Sequence, residues 1–100
     1  MAIFTLTESA KNDLKDIARF TRKRWGVEQR NKYLKTLDDS FHQLASNPAS
    51  GRACNEIQDG YYKFPTGNHM VFYRKKGDKK IQIVRILHES MDVEIQFSKN

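Results

Sequence analysis

KFPTGNHMVFYRKKGDKKIQIVRILHESMD, residues 63–92, is the stretch whose reading decides the fold. Apolar and polar side chains alternate from Asn68 to Arg74 and again from Lys80 to Leu87. Alternation with period two is the mark of a half-buried strand. Gly77-Asp78 between the two runs supplies a turn that tolerates positive φ, so they pair as an antiparallel hairpin. Upstream, Tyr61 to Phe64 reads as a further strand that stops at Pro65, and Thr66-Gly67 turns it into the next.

The N-terminal half has a different period. Ile3, Phe4 and Leu6 form a short apolar run that predicts a first strand over residues 2–6. Thr7 follows as a helix N-cap, and Glu8 sets a negative charge against the positive end of the helix dipole. From Ala10 the spacing is helical: Ala10, Leu14, Ile17, Ala18, Thr21 and Trp25 share one stripe, with Lys11, Lys15, Arg19 and Arg22 away from it. Gly26 stops this helix. A second runs from about Glu28 to Ser46, with Tyr33, Leu34, Leu37, Phe41, Leu44 and Ala45 inward, and Asn47-Pro48 ends it. So few residues join the helices that they pack as an antiparallel hairpin. Pro48 to Asp59 is polar and reads as a loop with one weak strand around Ile57. The expected order is β-α-α-β-β-β, an α+β sandwich with the helical hairpin on one face of an antiparallel sheet.

Composition bounds the function. One hundred residues make one domain with a single core. The lone cysteine, Cys54, cannot form an internal disulfide and has no metal-ligand spacing around it, which argues against zinc or thiol chemistry and for a reducing compartment. No apolar run approaches the ~18 residues that cross a bilayer, and no signal-peptide pattern opens the chain, so a cytoplasmic location without a membrane partner is expected. The glycines read as turn residues, not as a phosphate cradle, and no cofactor is implied. Eighteen Lys and Arg against twelve Asp and Glu give a net charge of +6, which favours an acidic partner, protein or nucleic acid. Arg22, Lys23 and Arg24 suit the negative end of the first helix, whereas Arg30, Lys32 and Lys35 oppose the dipole of the second. The run Arg74, Lys75, Lys76, Lys79 and Lys80 around the hairpin turn reads as protection of a sheet edge.

Beyond these patterns, the chain resembles the ParE-type toxins of bacterial toxin–antitoxin pairs, in the wider RelE/ParE superfamily. The likeness rests on Lys63, Phe64, Pro65, Gly67 and His69, then Phe72-Tyr73, then Arg85, Leu87, His88, Met91 and Asp92. Thr7-x-x-Ala10, Asp16-Ile17, Trp25-Gly26 and Asn47-Pro48 extend it over almost the whole length. The resemblance implies a toxin that inhibits DNA gyrase through its A subunit by binding, with no catalytic residue and no metal. It implies neutralisation by a ParD-like antitoxin, with operator DNA met only through that complex.

Candidate contacts for gyrase or another partner are Lys63, Arg85, His88, Met91 and Asp92. Arg22, Arg24, Trp25, Arg30 and Tyr73 are candidates for the antitoxin. Two of these positions leave alternatives open. Arg85 is placed by alternation with Ile81, Ile83 and Leu87, where a guanidinium needs a partner. It is either a structural residue paired with an acid such as Asp92 or with C-terminal carbonyls, or part of a concave face open to an anionic ligand. Trp25 lies on the inner stripe and is either core or an interface anchor.

The alternative function is ribosome-dependent messenger cleavage of the RelE type, which would call on His69, His88, Lys63 and Arg85 for proton transfer and phosphate binding. The chain lacks the C-terminal tyrosine of that arrangement, and Glu89 and Asp92 would repel RNA phosphate.

Overall fold

In a computed structural model, which describes residues 3–98, a five-stranded sheet carries a helical hairpin on one face and a short C-terminal helix on the other. The strands are β1 (Ile3–Leu6), β2 (Arg52–Ala53), β3 (Tyr61–Thr66), β4 (His69–Lys75) and β5 (Lys80–His88); the helices are α1 (Glu8–Trp25), α2 (Val27–Ser46) and α3 (Val93–Ser98). Residue 2, the expected start of the first strand, lies outside the described residues.

The predicted hairpin is the middle of the sheet. β3, β4 and β5 pair antiparallel, and β1 joins the far side of β5 in parallel, giving the order β1-β5-β4-β3-β2. Thr7 makes the corner. Its N–H donates to Ile83 O at 3.1 Å and its hydroxyl to Val84 O at 2.8 Å, extending the pairing one residue past β1. The same hydroxyl oxygen accepts Ala10 N–H at 3.0 Å and so caps α1.

Gly26 is the whole link between α1 and α2. At φ +98° it donates its N–H to Arg22 O at 2.9 Å, closing α1, and accepts Arg30 N–H at 3.0 Å, opening α2. A side chain at this φ would strain the backbone, which is why the Trp-Gly pair marks the turn.

Leu37, Phe41, Leu44 and Ala45 of α2 meet Ala10 and Ile17 of α1 over Val71, Tyr73, Ile81, Ile83 and Ile86 of the sheet. Leu37 and Leu44 are fully buried, and truncating either to alanine costs about 2–5 kcal/mol.

Four features correct the reading from sequence. First, Tyr73 pairs with Ile83 while Phe72 pairs with Arg85, so Val84 is an extra residue in β5 and the alternation changes face there. Ile81 and Ile83 face the helices; Arg85 and Leu87 share the opposite face with Phe72. Second, that opposite face has its own small core of Cys54, Phe72 and Leu87, against which Val93 and Phe97 of α3 pack. Third, the weak strand near Ile57 is absent: the short strand is β2, and Ile57 lies in a turn whose N–H donates to Cys54 O. Fourth, β4 and β5 are interior strands, so the lysines at their turn protect no sheet edge.

Candidate functional site

Where α1 runs on beside the end of β5, the two layers part and leave an open groove of about 850 Å³. One wall is α1, through Asp16, Ile17, Phe20, Thr21 and Trp25. Gln29 and Tyr33 of α2 close one side; Asn68, His69, His88, Ser90 and Met91 form the opposite wall. Phe20 is 64 % exposed, Trp25 65 % and Met91 45 %. Three large apolar side chains left in water around one concavity mark a surface built to be covered. The Arg24 guanidinium lies over the Trp25 ring, 5.3 Å from its centroid, so the rim is basic where the wall is aromatic.

The polar part of the groove is a chain of hydrogen bonds. The Tyr33 hydroxyl lies 2.6 Å from His69 Nδ1 and 3.3 Å from Thr66 O, and it accepts Asn68 N–H at 3.0 Å. The His69 ring meets the edge of His88 with centroids 5.2 Å apart. Ser90 N–H donates to His88 Nδ1 at 3.1 Å, with the Ser90 hydroxyl on the same nitrogen at 2.7 Å, which puts the ring proton of His88 on Nε2. Burial, with the neighbouring His88, holds His69 down to about 4, so it is a neutral imidazole at physiological pH. Burial likewise raises Tyr33 above the ordinary tyrosine range and keeps it a phenol. Such a wall can exchange hydrogen bonds with a partner but adds no charge from His69 or Tyr33.

Of the expected contacts, Trp25, His88 and Met91 meet in the groove, and Trp25 is not core. Arg22 and Arg24 lie exposed on the last turn of α1. Arg30 stands in the first turn of α2 and donates to its neighbour Asn31. Tyr73 must be removed from the contact set, because it is 0 % exposed. Its hydroxyl donates to Pro48 O at 2.6 Å and accepts Gly51 N–H at 2.9 Å, pinning the loop after α2.

Lys63 and Arg85 flank Phe72 in one row across the opposite face of the sheet, away from the groove. Arg85 takes the structural one of the two readings: its guanidinium donates at 3.5 Å to a C-terminal carbonyl, Gln96 O of α3, while the acid it pairs with is Asp13 of α1 and not Asp92. Asp92 instead caps α3, accepting Ile95 N–H at 3.2 Å.

Among the groove residues that escaped the sequence reading are Phe20 and Tyr33. Phe20 announces itself as an aromatic on the charged side of an amphipathic helix, between Arg19 and Arg22. Tyr33 looked like core and is half-buried. Among the described residues no three His, Cys, Asp or Glu side chains come close enough to hold a metal ion, and no helix is long and apolar enough to cross a membrane. Cys54 is buried, and burial pushes its thiol up, which makes it inert.

Known proteins carry the same pattern. Residues 4–93 match the family model described as the ParE toxin of the type II toxin–antitoxin system parDE. Toxin ParE1 of Mycobacterium tuberculosis is 43 % identical over 91 residues, covering 91 % of this chain and 93 % of its own. Toxin ParE1 of Caulobacter vibrioides is 36 % identical, covering 92 % and 94 %, and Toxin ParE of Escherichia coli 30 %, covering 93 % and 90 %. In fold, the chain is similar to a chain of the chromosomal ParDE toxin–antitoxin system from P. aeruginosa, with a TM-score of 0.73 over 88 % of this chain and 95 % of that one, at 23 % identity. The chain belongs to the ParE toxin family of type II toxin–antitoxin systems.

Proposed function

We propose that this protein is a toxin that inhibits DNA gyrase through its A subunit, by binding and without catalysis, and that a ParD-like antitoxin neutralises it by laying a flexible segment into the groove between the helical hairpin and the sheet. The groove carries the second half of this reading. Its apolar wall of Phe20, Trp25 and Met91 beside basic residues suits an acidic segment that folds on binding, with apolar anchors on one side. Family membership supports the first half. The face opposite the helical hairpin, which a messenger would have to enter for cleavage, is packed by Val93 and Phe97 of α3, and its Arg85 is engaged by Asp13; both favour binding over ribonuclease chemistry.

The test uses purified protein with gyrase, ATP and relaxed plasmid. Supercoiling should be inhibited, and linear DNA should appear after detergent and protease. Undisturbed supercoiling at large toxin excess would sink the gyrase reading. Cleavage of a translating message with gyrase untouched would put the ribonuclease in its place.

A further inference from the structure

The turn between β4 and β5 concentrates charge that the groove does not use. Positions 74–80 read Arg-Lys-Lys-Gly-Asp-Lys-Lys, five cations against Asp78. That segment alone holds +4 of the chain's net +6. Among the described residues none of the five cations sits in an ion pair, while Lys11, Arg19, Lys35 and Arg85 each do. Lysines often guard an exposed sheet edge, but both strands here are interior, with β1 and β3 outside them. The charge therefore needs another reason.

We propose that this hairpin tip is a phosphate-binding surface that holds duplex DNA by its backbone without reading its bases. The composition of the tip favours a nucleic acid over an acidic protein. The exposed tip residues Lys75, Lys76, Gly77, Asp78 and Lys79 include no apolar side chain, and a protein interface without an aromatic or aliphatic anchor has no hot spot. Nucleic-acid interfaces are polar and strongly positive, and lysines serve them as point charges on phosphates.

The tip is also held in place before any ligand arrives. Lys76 N–H donates to Lys80 O at 2.8 Å, closing the turn, and Ile3 N–H donates to Lys79 O at 2.9 Å, tying it to β1. Arg74 is fixed by its bond to Gln82 Oε1 at 2.9 Å, and the Lys75 ammonium lies 5.5 Å from the centre of the Tyr62 ring. Arg74 and Lys75, held in this way, lose less freedom on binding. β5 runs from this tip at Lys80 to the groove at His88, about 26 Å at strand rise, so a segment seated in the groove leaves the tip free. DNA would then be touched by the toxin itself, not only through the antitoxin.

The experiment measures fluorescence anisotropy of a labelled 20-base-pair duplex titrated with the full chain across a salt series, with no gyrase present, so its outcome is independent of the gyrase reading. Weak binding is expected, with log K falling against log salt at a slope of about −4, the value for four or five phosphates. Lys75, Lys76, Lys79 and Lys80→Gln should weaken binding by about tenfold or more at moderate salt and flatten the slope by about 3 to 4. Lys11, Lys15, Lys32 and Lys35→Gln removes the same net charge from exposed helix positions and should change the slope by less than about 1. Two duplexes of unrelated sequence should bind within about twofold of each other. Equal losses in the two quadruple variants would reduce the effect to overall charge and overturn the proposal. So would a wild-type chain that fails to bind at low salt, or a tip variant that loses its association rate with an acidic peptide while keeping its affinity for DNA.

Discussion

Asp13 holds Arg85 side-on across 72 positions of sequence, with Nε donating to Oδ2 at 2.8 Å and Nη2 to Oδ1 at 3.0 Å. Oδ2 also accepts Ile86 N–H at 2.9 Å. The last contact explains the site. β1 ends at Leu6, so beyond Val84 the outer edge of β5 has no strand to pair with, and Asp13 serves as the acceptor that β1 no longer provides. On the other side Arg85 reaches Gln96 O, so one ion pair ties α1, β5 and α3 together.

Removing Asp13 leaves a guanidinium and an N–H without their partner. The two side chains are only 20 % and 13 % exposed. Asp13→Ala is expected to cost on the order of 3 kcal/mol, toward the lower end for a buried pair because some solvent reaches both groups. Asp13→Asn keeps an acceptor for Ile86 and should cost less. Urea unfolding curves measure both; equal midpoints for wild type and Asp13→Ala would show that the clamp contributes nothing.

His69 predicts a pH dependence of stability. Its folded value is about 4, against an ordinary 6.5 for an unfolded histidine. Between those values the unfolded chain binds the proton and the folded one does not, so stability falls as pH drops through 6.5 and levels off below 4. The loss at full protonation is up to about 3 kcal/mol. The charged and titratable groups facing His69 are Tyr33, His88, Asp13 and Glu89, and the carboxylates partly offset the penalty. Since other groups titrate in the same range, the readout is the difference between wild type and His69→Gln at pH 7, 6, 5 and 4. A constant difference would contradict the assignment.

Gly67 separates backbone strain from packing. It sits at φ +58° in the β3–β4 turn, and a Cβ there would lie 2.6 Å from the Tyr33 ring. Gly60 has φ +88° with nothing within 4 Å of such an atom. Both alanine substitutions carry the backbone penalty of about 1 kcal/mol, and Gly67→Ala should add a further 1–3 kcal/mol of overpacking. It should also push Tyr33 from its place against His69, which a histidine ring chemical shift would report.

The helices α1 and α2 and the three C-terminal strands were legible because each carries a recognisable period. What stayed hidden depended on contacts remote in sequence or on a period that misleads. Val93-Glu94-Ile95-Gln96-Phe97 alternates like a strand yet forms α3, because Asp92 caps it and Val93 and Phe97 land on Phe72 and Leu87. The extra residue at Val84 reverses every face assignment after it, and nothing in Ile83-Val84-Arg85 announces it. At the site, Trp25, His88 and Met91, candidate contacts from the sequence, line the groove, whereas nothing in the sequence marks Asp13. Its partner is too far along the chain to be paired with it by spacing.

The groove predicts how the antitoxin segment should be recognised. Phe20 and Trp25 are each about two-thirds exposed, so alanine at either position removes almost no folding energy. If they are anchors, each substitution should weaken binding of the segment by about 1–3 kcal/mol with an unchanged melting temperature of the free toxin. Reversing Arg22 or Arg24 should act differently. Rim charges speed encounter more than they hold the complex, so the on-rate should fall while the off-rate stays near wild type, and added salt should erase the difference. Arg30 extends the comparison to the first turn of α2, where its charge opposes the helix dipole and its guanidinium is held by Asn31. Stopped-flow association with a peptide of the proposed antitoxin segment measures all five variants. On-rates indifferent to both salt and charge reversal, with losses confined to Phe20→Ala and Trp25→Ala, would mean that apolar burial alone drives association and that the basic rim only solvates the helix end.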